Sequence, residues 1–131
     1  MSGVKNFRDV GTSLNRILGS ELFKSGILYR SGALDGTATP EKLPRLRTIV
    51  NLRRERDPEF RNIRLLQVAP IDSMSNYVLE SGVFVEWIQR LYTTLADETM
   101  WPSLMHCTGG KDRTGVAVAL LLKTSVYLTL L

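Results

Sequence analysis

The stretch HCTGGKDRTG, residues 106 to 115, is the feature that most constrains how this chain can fold. It connects the apolar run SLMHC (103–107) to a long apolar run that begins at Val116. The first run has the length and composition of a buried strand, and the second has the length of a helix. Gly109 and Gly110 allow a tight turn between them. A strand, a loop and a helix in this order place the loop at the carboxyl edge of a sheet, where α/β proteins bind ligands.

The rest of the chain supports the same class of fold. Three further apolar runs have the pattern of buried strands: GILYRS (26–31), RTIVNLR (47–53) and IRLLQVA (63–69). Apolar residues at helical spacing predict a helix from Val83 to Leu95, and Thr39 as N-cap predicts a short helix from Pro40 to Arg45. We therefore expect an α/β protein, a three-layer-like sandwich with a partly parallel central sheet, formed as one domain over residues 1–131.

Composition narrows the class of protein and its partners. The hydrophobic content of 44% is typical of a globular chain, and the net charge of +4 favours mildly acidic partners such as phosphates. Arginines are concentrated between Arg45 and Arg64, but Glu55, Asp57 and Glu59 lie among them. We expect this cluster to be a solvated, self-neutralising surface, and we expect no nucleic acid partner.

The content of cysteine and histidine excludes several kinds of site. One cysteine cannot form a disulfide within the chain, and with one histidine it cannot form an ordinary Cys/His zinc site. We therefore expect neither a metal nor a cofactor. The lone thiol and the absence of an apolar signal segment at the N-terminus predict a cytoplasmic protein.

The C-terminal run from Val116 to Leu131 is almost entirely apolar, but Lys123 interrupts it and it is shorter than the roughly 20 residues of a membrane span. We expect a buried helix here and no transmembrane segment. A helix that is apolar on all sides must be covered on all sides. Because little chain remains to cover it, we expect either a C-terminally truncated domain or a homo-oligomer formed through this helix.

The residue types between His106 and Gly115 suit the binding and cleavage of a phosphate group. Backbone N–H groups of a curled loop and of a helix N-terminus bind anions, and the planar guanidinium of Arg113 can hold two phosphate oxygens. Cys107, beside these positive groups, is expected to be a thiolate that can attack phosphorus. The expected phosphate-binding residues are Thr108, Gly109, Gly110, Lys111, Asp112 and Arg113.

Hydrolysis also requires a general acid and a group that helps the sulfur to leave. The acid is either Asp112, inside the loop, or Asp72, in a segment that can fold over the site; an ion pair with its arginine neighbour is the structural alternative for Asp112. The hydroxyl of Thr114 is placed to assist the sulfur. We expect His106 to hydrogen-bond the backbone and orient the loop rather than to act as a base. Lys111 adds a cation that favours substrates with more than one phosphate.

Cys107, five intervening residues, Arg113 and Thr114 match the signature of the cysteine-dependent phosphatases. The full loop resembles the HCxxGKDRTG loop of the atypical tyrosine/serine (dual-specificity) phosphatases of bacteria, fungi and plants. Three other segments resemble that family's N-terminal blocks in their usual order: NFRDVG (6–11), LYRSGAL (28–34) and TIVNLR (48–53). The resemblance extends from about Asn6 to Leu122.

This resemblance implies an α/β sandwich that uses no metal. It implies Cys107 as the nucleophile, Arg113 as the phosphate-binding arginine and Asp112 as the in-loop acid, and it associates Lys111 with activity on phosphoinositides as well as phosphotyrosine. The chain departs from the family after the loop, because KTSVYLTLL (123–131) does not resemble the expected further helices.

Two functions from different classes follow. The first is a phosphatase that acts on phosphotyrosine, phosphoserine or phosphoinositides through a phosphocysteine intermediate. The alternative, motivated by the missing helices, is a catalytically weak or inactive phosphate-binding module. A sulfur-transfer or arsenate-reducing enzyme is disfavoured, because arsenate reduction by such loops generally needs a further thiol.

Overall fold

The computed structural model describes residues 4–34, 43–69, 82–109 and 112–128; the side chains of 82–84, 112 and 122–128 fall outside the description. The elements in chain order are β1 (Arg8–Asp9), α1 (Val10–Leu18), β2 (Leu28–Ser31), β3 (Thr48–Asn51), β4 (Arg64–Gln67), α2 (Gly82–Leu95), β5 (Ser103–His106) and α3 (Asp112–Leu128). A one-turn 3₁₀ helix, Glu98–Met100, lies between α2 and β5.

The five strands form one sheet in the order β1-β2-β5-β3-β4. Four of them run parallel, and the two-residue β1 pairs antiparallel with β2 at one edge. His106, the last residue of the central strand β5, is in register with Ser31 of β2 and Asn51 of β3. The carboxyl ends of three neighbouring strands are therefore aligned, and whatever follows β5 emerges at the middle of that edge.

Successive side chains of a strand point to opposite faces, and each face of the sheet has its own apolar cluster. On one face, Val50 and Met105 pack with side chains from all three helices, among them the fully buried Trp87 and Leu91 of α2. The opposite face carries Ile49 and Leu104. In the described part of the chain, this second face is covered by irregular segments, with Val4, Leu34, Leu43, Leu46 and Phe60 as their buried side chains.

The α/β fold with its mostly parallel sheet is confirmed, and the four predicted strands and the helix α2 are present with bounds close to those expected. The prediction of a short helix from Pro40 to Arg45 is wrong at residues 43–45, which are not helical. Residues 40–42 lie outside the described residues. Pro44 explains this, because proline disfavours helical backbone at the residue before it.

Two elements near the N-terminus were not predicted. Helix α1 begins after Asp9, whose side chain accepts a hydrogen bond from the backbone N–H of Thr12, and it ends at Gly19, which has a left-handed conformation. Strand β1 precedes the helix directly.

Helix α3, which begins at Asp112, is the helix of the predicted strand-loop-helix junction. Ala117, Val118 and Leu121 are buried against the helical face of the sheet. Side chains after Leu121 are not described, so the expected exposure of the apolar C-terminal run, and with it oligomerisation, stays a prediction. None of the described helices has the length and hydropathy that a membrane span requires.

Candidate active site

Cys107 follows directly after the central strand β5 and is only 4% exposed. Helix α3 begins five residues later, at Asp112. The thiol therefore lies at the carboxyl edge of a parallel sheet, close in the chain to the N-terminus of a long helix. This is the position where unpaired backbone N–H groups and the helix dipole favour an anion.

Neighbouring segments hold the first residues of the loop. The backbone oxygen of Thr108 accepts a hydrogen bond of 2.9 Å from the N–H of Ala33, and that of Gly109 accepts one of 2.7 Å from the Asn6 side chain. The C=O and N–H of a trans peptide point in opposite directions. Because the Thr108 carbonyl points toward Ala33, the N–H of Gly109 points away from it, as an anion-binding loop requires.

Two of the family-like segments thus meet beneath the loop. Asn6 has a left-handed backbone (φ 54°), a conformation that asparagine tolerates better than most residues. A β-carbon at Gly32 would lie 3.0 Å from the Thr108 oxygen and 3.3 Å from the Lys5 oxygen, so a side chain here would push these backbone oxygens away by a few tenths of an ångström. Gly32 also donates its N–H to Lys5 over 2.7 Å.

The first turn of α3 contributes Arg113 and Thr114. Arg113 is partly buried, whereas Thr114 is completely buried. The Thr114 hydroxyl makes no hydrogen bond within the described part of the chain. Burying an unpaired hydroxyl costs free energy, and such a group in a native structure calls for an explanation such as a functional role.

Arg30 of β2 brings a second guanidinium to the site, which the sequence did not single out. Its Nη2 lies 3.5 Å from the point where a β-carbon of Gly115 would be, at the start of α3. Burial and the neighbouring Arg8 lower the pKa of Arg30, while the negative charge of Cys107 acts in the opposite direction. Arg8 is directly opposite Arg30 in the strand pair. Two like charges in this position are unfavourable unless an anion lies nearby. The sequence signal that could have identified Arg30 was its charge inside the apolar run LYRS (28–31).

His106 has a buried partner that the sequence did not predict. Its Nε2 lies 2.7 Å from Oδ2 of Asp57, and Oδ1 of Asp57 lies 3.0 Å from Nη2 of Arg53. The side chains of His106, Asp57 and Arg53 are 0%, 3% and 11% exposed. The arginine-rich cluster was expected to be a solvated surface; its other members are exposed, but Arg53 and Asp57 are not.

Other expectations fall on residues that the description does not reach. Gly110, Lys111 and Asp72 lie outside the described residues, and for Asp112 only the backbone, at the start of α3, is described. The choice between Asp112 and Asp72 as general acid therefore stays open. The expected contact of His106 with the backbone is a long one, 3.4 Å from Nδ1 to the oxygen of Cys107. Across the described segments, no three His, Cys, Asp or Glu side chains cluster as metal ligands do.

Comparison with known proteins agrees with this geometry. The structure is similar to the core catalytic domain of the PP-IP phosphatase SIW14 from S. cerevisiae, crystallised with citrate, with a TM-score of 0.52 at 21% identity. The similarity covers 79% of this chain and 66% of that one, so the chain spans just under two thirds of its neighbour. No curated protein matches the sequence. The family model described as "Tyrosine phosphatase family" matches residues 1–125. With nearly the whole sequence matched and the cysteine loop at a strand-to-helix junction, the chain belongs to the tyrosine phosphatase family.

Proposed function

We propose that this protein is a cysteine-dependent phosphatase that hydrolyses phosphate monoesters through a phosphocysteine intermediate. The observation that carries the proposal is the position of Cys107, which directly follows the central strand of a mostly parallel sheet and lies five residues before the N-terminus of α3. Arg113, in the first turn of that helix, is the residue for gripping the phosphate oxygens. The lone thiol fits a reducing compartment, and we propose the cytoplasm.

The reaction takes two displacements at phosphorus. The Cys107 thiolate forms a sulfur–phosphorus bond as the ester oxygen–phosphorus bond breaks, and the leaving oxygen takes a proton from Asp112 or Asp72. Water then attacks the phosphocysteine and gives a proton to the same carboxylate, while the sulfur leaves as thiolate and inorganic phosphate is released. The Thr114 hydroxyl, buried and unpaired among the described residues, is suited to donate a hydrogen bond to the departing sulfur.

Positive charge near the thiol supports substrates with more than one negative group. Arg30 lies beside the start of α3 and Arg8 lies opposite Arg30 in the sheet, so the site has cations beyond Arg113. The loop also contains Lys111. We propose phosphoinositides and phosphotyrosine or phosphoserine proteins as substrates, and the structural neighbour adds PP-IP as a compound to include.

The test is steady-state hydrolysis of an aryl phosphate, a phosphotyrosine peptide, a phosphoinositide and PP-IP by the wild type and by Cys107→Ser. We expect turnover by the wild type and none above background by Cys107→Ser, since a neutral hydroxyl is a far weaker nucleophile than a thiolate. A circular dichroism melt shows that the variant is folded. Equal rates for both proteins would exclude the proposal.

A phosphate-binding module without turnover is the second candidate. It is motivated by the segment KTSVYLTLL (123–131), which does not resemble the further helices that the family resemblance implies. This alternative predicts that inorganic phosphate raises the melting temperature of the wild type while all four substrates stay intact. Turnover that depends on Cys107 excludes it.

A further inference from the structure

Asp57 is a buried carboxylate with a polar partner on each oxygen. Oδ2 contacts Nε2 of His106 at 2.7 Å and Oδ1 contacts Nη2 of Arg53 at 3.0 Å, with Asp57 only 3% exposed. Burying an ionised carboxylate is costly even when it is paired, and an apolar group of similar volume often serves stability as well. The arrangement therefore invites an explanation beyond stability.

The loop that carries Asp57 is held by side chains of the two neighbouring strands. Asn51, at the end of β3, accepts a hydrogen bond from the N–H of Arg53 at 2.9 Å and donates one to the Glu55 oxygen at 2.6 Å. Gln67, at the end of β4, donates to the backbone oxygens of Arg53 and Arg54 at 2.8 and 2.6 Å. Four backbone groups of residues 53–55 are fixed in this way, so the Asp57 carboxylate approaches His106 from a defined direction.

The ring of His106 is fixed in turn. An ionised carboxylate only accepts hydrogen bonds, so Nε2 of His106 carries a proton and donates a hydrogen bond to Asp57. The ring is completely buried, and its other nitrogen, Nδ1, which carries no proton in the neutral ring, lies in packing contact with the backbone oxygen of Cys107 at 3.4 Å. That oxygen belongs to the peptide between Cys107 and Thr108, whose plane also sets the direction of the Thr108 N–H at the start of the loop.

We infer that Asp57, held by Arg53, is a positioning residue for the nucleophile: it fixes the ring of His106, and the fixed ring packs against the peptide that follows Cys107 and limits its movement. Removing the Asp57 carboxylate lets the ring turn and the start of the loop shift. The catalytic consequence rests on the proposed phosphatase activity, but the effect on the ring and on the thiol does not.

The first experiment reads the ring directly. His106 is the only histidine and Cys107 the only cysteine, so nitrogen-15 histidine NMR and alkylation by iodoacetamide each report one residue. In the wild type we expect an Nε2–H signal of His106 that is protected from exchange with water. In Asp57→Ala we expect this signal to be lost and the alkylation rate of Cys107 to change at least about threefold. The matched control is Glu86→Gln, which removes a carboxylate 61% exposed on α2 and leaves both readouts unchanged.

The second experiment separates positioning from a purely structural role. A misplacement of about 1 Å can cost about 100-fold in rate. Asp57→Ala is therefore expected to lower kcat by about 10- to 100-fold, per folded molecule, with KM changed less than about threefold. Because Asp57 acts through His106, the double variant Asp57→Ala/His106→Ala is expected to be no slower than His106→Ala alone.

Each result supports or overturns the inference. A protected ring signal in Asp57→Ala, unchanged alkylation, or losses of kcat that multiply in the double variant would each overturn it. If Asp57→Ala does not fold, Asp57→Asn, which keeps an acceptor oxygen for Nε2 but loses the ion pair with Arg53, is expected to give a smaller change in the same readouts. A wild type without turnover would refute the proposed function, and the ring signal and alkylation rate would still decide the inference.

Discussion

At the scale of single residues, the charges and hydrogen-bonding groups around Cys107 decide what the site can do. Arg30 is partly buried beside the start of α3, and its interaction with the negative charge of Cys107 opposes the lowering of its pKa by burial and by Arg8. Such an interaction acts equally on both partners. Because the thiolate of Cys107 stabilises the charged form of Arg30, the Arg30 guanidinium stabilises the thiolate in return.

The first prediction concerns Arg30→Gln. A nearby cation stabilises the charged form of a thiol, so its loss raises the pKa of Cys107 and shifts the alkylation profile to higher pH. Near neutral pH the rate of alkylation by iodoacetamide is expected to fall by about threefold to tenfold. Arg61→Gln removes an exposed arginine before β4, at the opposite edge of the sheet, and is expected to leave the profile unchanged. A profile shifted equally in both variants, or in neither, would contradict this account of Arg30.

The second prediction concerns the buried hydroxyl of Thr114. Thr114→Val removes a polar group that lacks a partner among the described residues, so the free energy of unfolding is expected to rise by about 1 kcal/mol. A hydrogen bond to a charged group contributes about 1.5–3 kcal/mol, so kcat is expected to fall by about 10- to 100-fold. Urea unfolding and steady-state kinetics measure the two effects.

Thr93→Val is the matched control for this substitution, because the Thr93 hydroxyl lies on α2 and is already bonded to the oxygen of Gln89. We expect it to leave kcat unchanged and to give no gain in stability. If Thr114→Val loses stability and keeps full activity, the hydroxyl is structural and our assignment is wrong.

At the scale of elements, the site depends on contacts between segments far apart in the chain. The Asn6 side chain holds Gly109 through a hydrogen bond of 2.7 Å, and the backbone N–H of Ala33, just after β2, holds Thr108 through one of 2.9 Å. Asn6 and Gly109 are separated by 103 positions in the sequence. The family-like segments near the N-terminus therefore have a physical role, which is to fix the carbonyls of the loop.

The third prediction tests this support. Asn6→Gly keeps a residue that accepts left-handed backbone but removes the side-chain hydrogen bond to Gly109. Its loss is expected to weaken the binding of inorganic phosphate by about threefold to tenfold, since one net hydrogen bond contributes about 1 kcal/mol. Asn62→Gly is the matched control, because Asn62 also has a left-handed backbone (φ 64°) but lies before β4. Equal affinity in Asn6→Gly and the wild type, by isothermal titration, would contradict the role of Asn6.

The sequence predicted the elements whose signal is local. The strands β2 to β5 coincide with short apolar runs, and α2 coincides with apolar residues at helical spacing. Strand β1 has only two residues, and it exists through its pairing with β2 rather than through its own composition. Helix α1 mixes small and polar residues, and a cap at Asp9 with packing against the core stabilises it.

The same distinction applies to the site. The order Cys107, Arg113 and Thr114 within ten residues predicted a phosphate-binding junction, because the spacing itself carries the chemistry. The contact between His106 and Asp57 joins residues 49 positions apart. Asp57 is surrounded in sequence by charged residues that are exposed, so no local pattern distinguishes it from them. Only the fold shows that it faces inward.

At the scale of the whole molecule, an anion bound by the loop after β5 would contact the N-terminus of α3 and the loop that Asn6 and Ala33 hold. The fourth prediction is that inorganic phosphate raises the melting temperature of the wild type. A ligand at 100 times its Kd that binds only the folded state adds about 2.7 kcal/mol to the free energy of unfolding. Differential scanning fluorimetry is expected to show a graded shift with phosphate and none with Arg113→Ala. An unchanged wild-type melting temperature would contradict phosphate binding.

Trapping of the phosphorylated enzyme tests the central claim most directly. Acid quenching during turnover of an aryl phosphate, followed by proteolysis and mass spectrometry, locates any covalent phosphate on the chain. We predict one phosphate on the peptide that contains Cys107, absent from Cys107→Ser. Phosphate release by the wild type with no label on that peptide, or label on any other residue, would contradict the account.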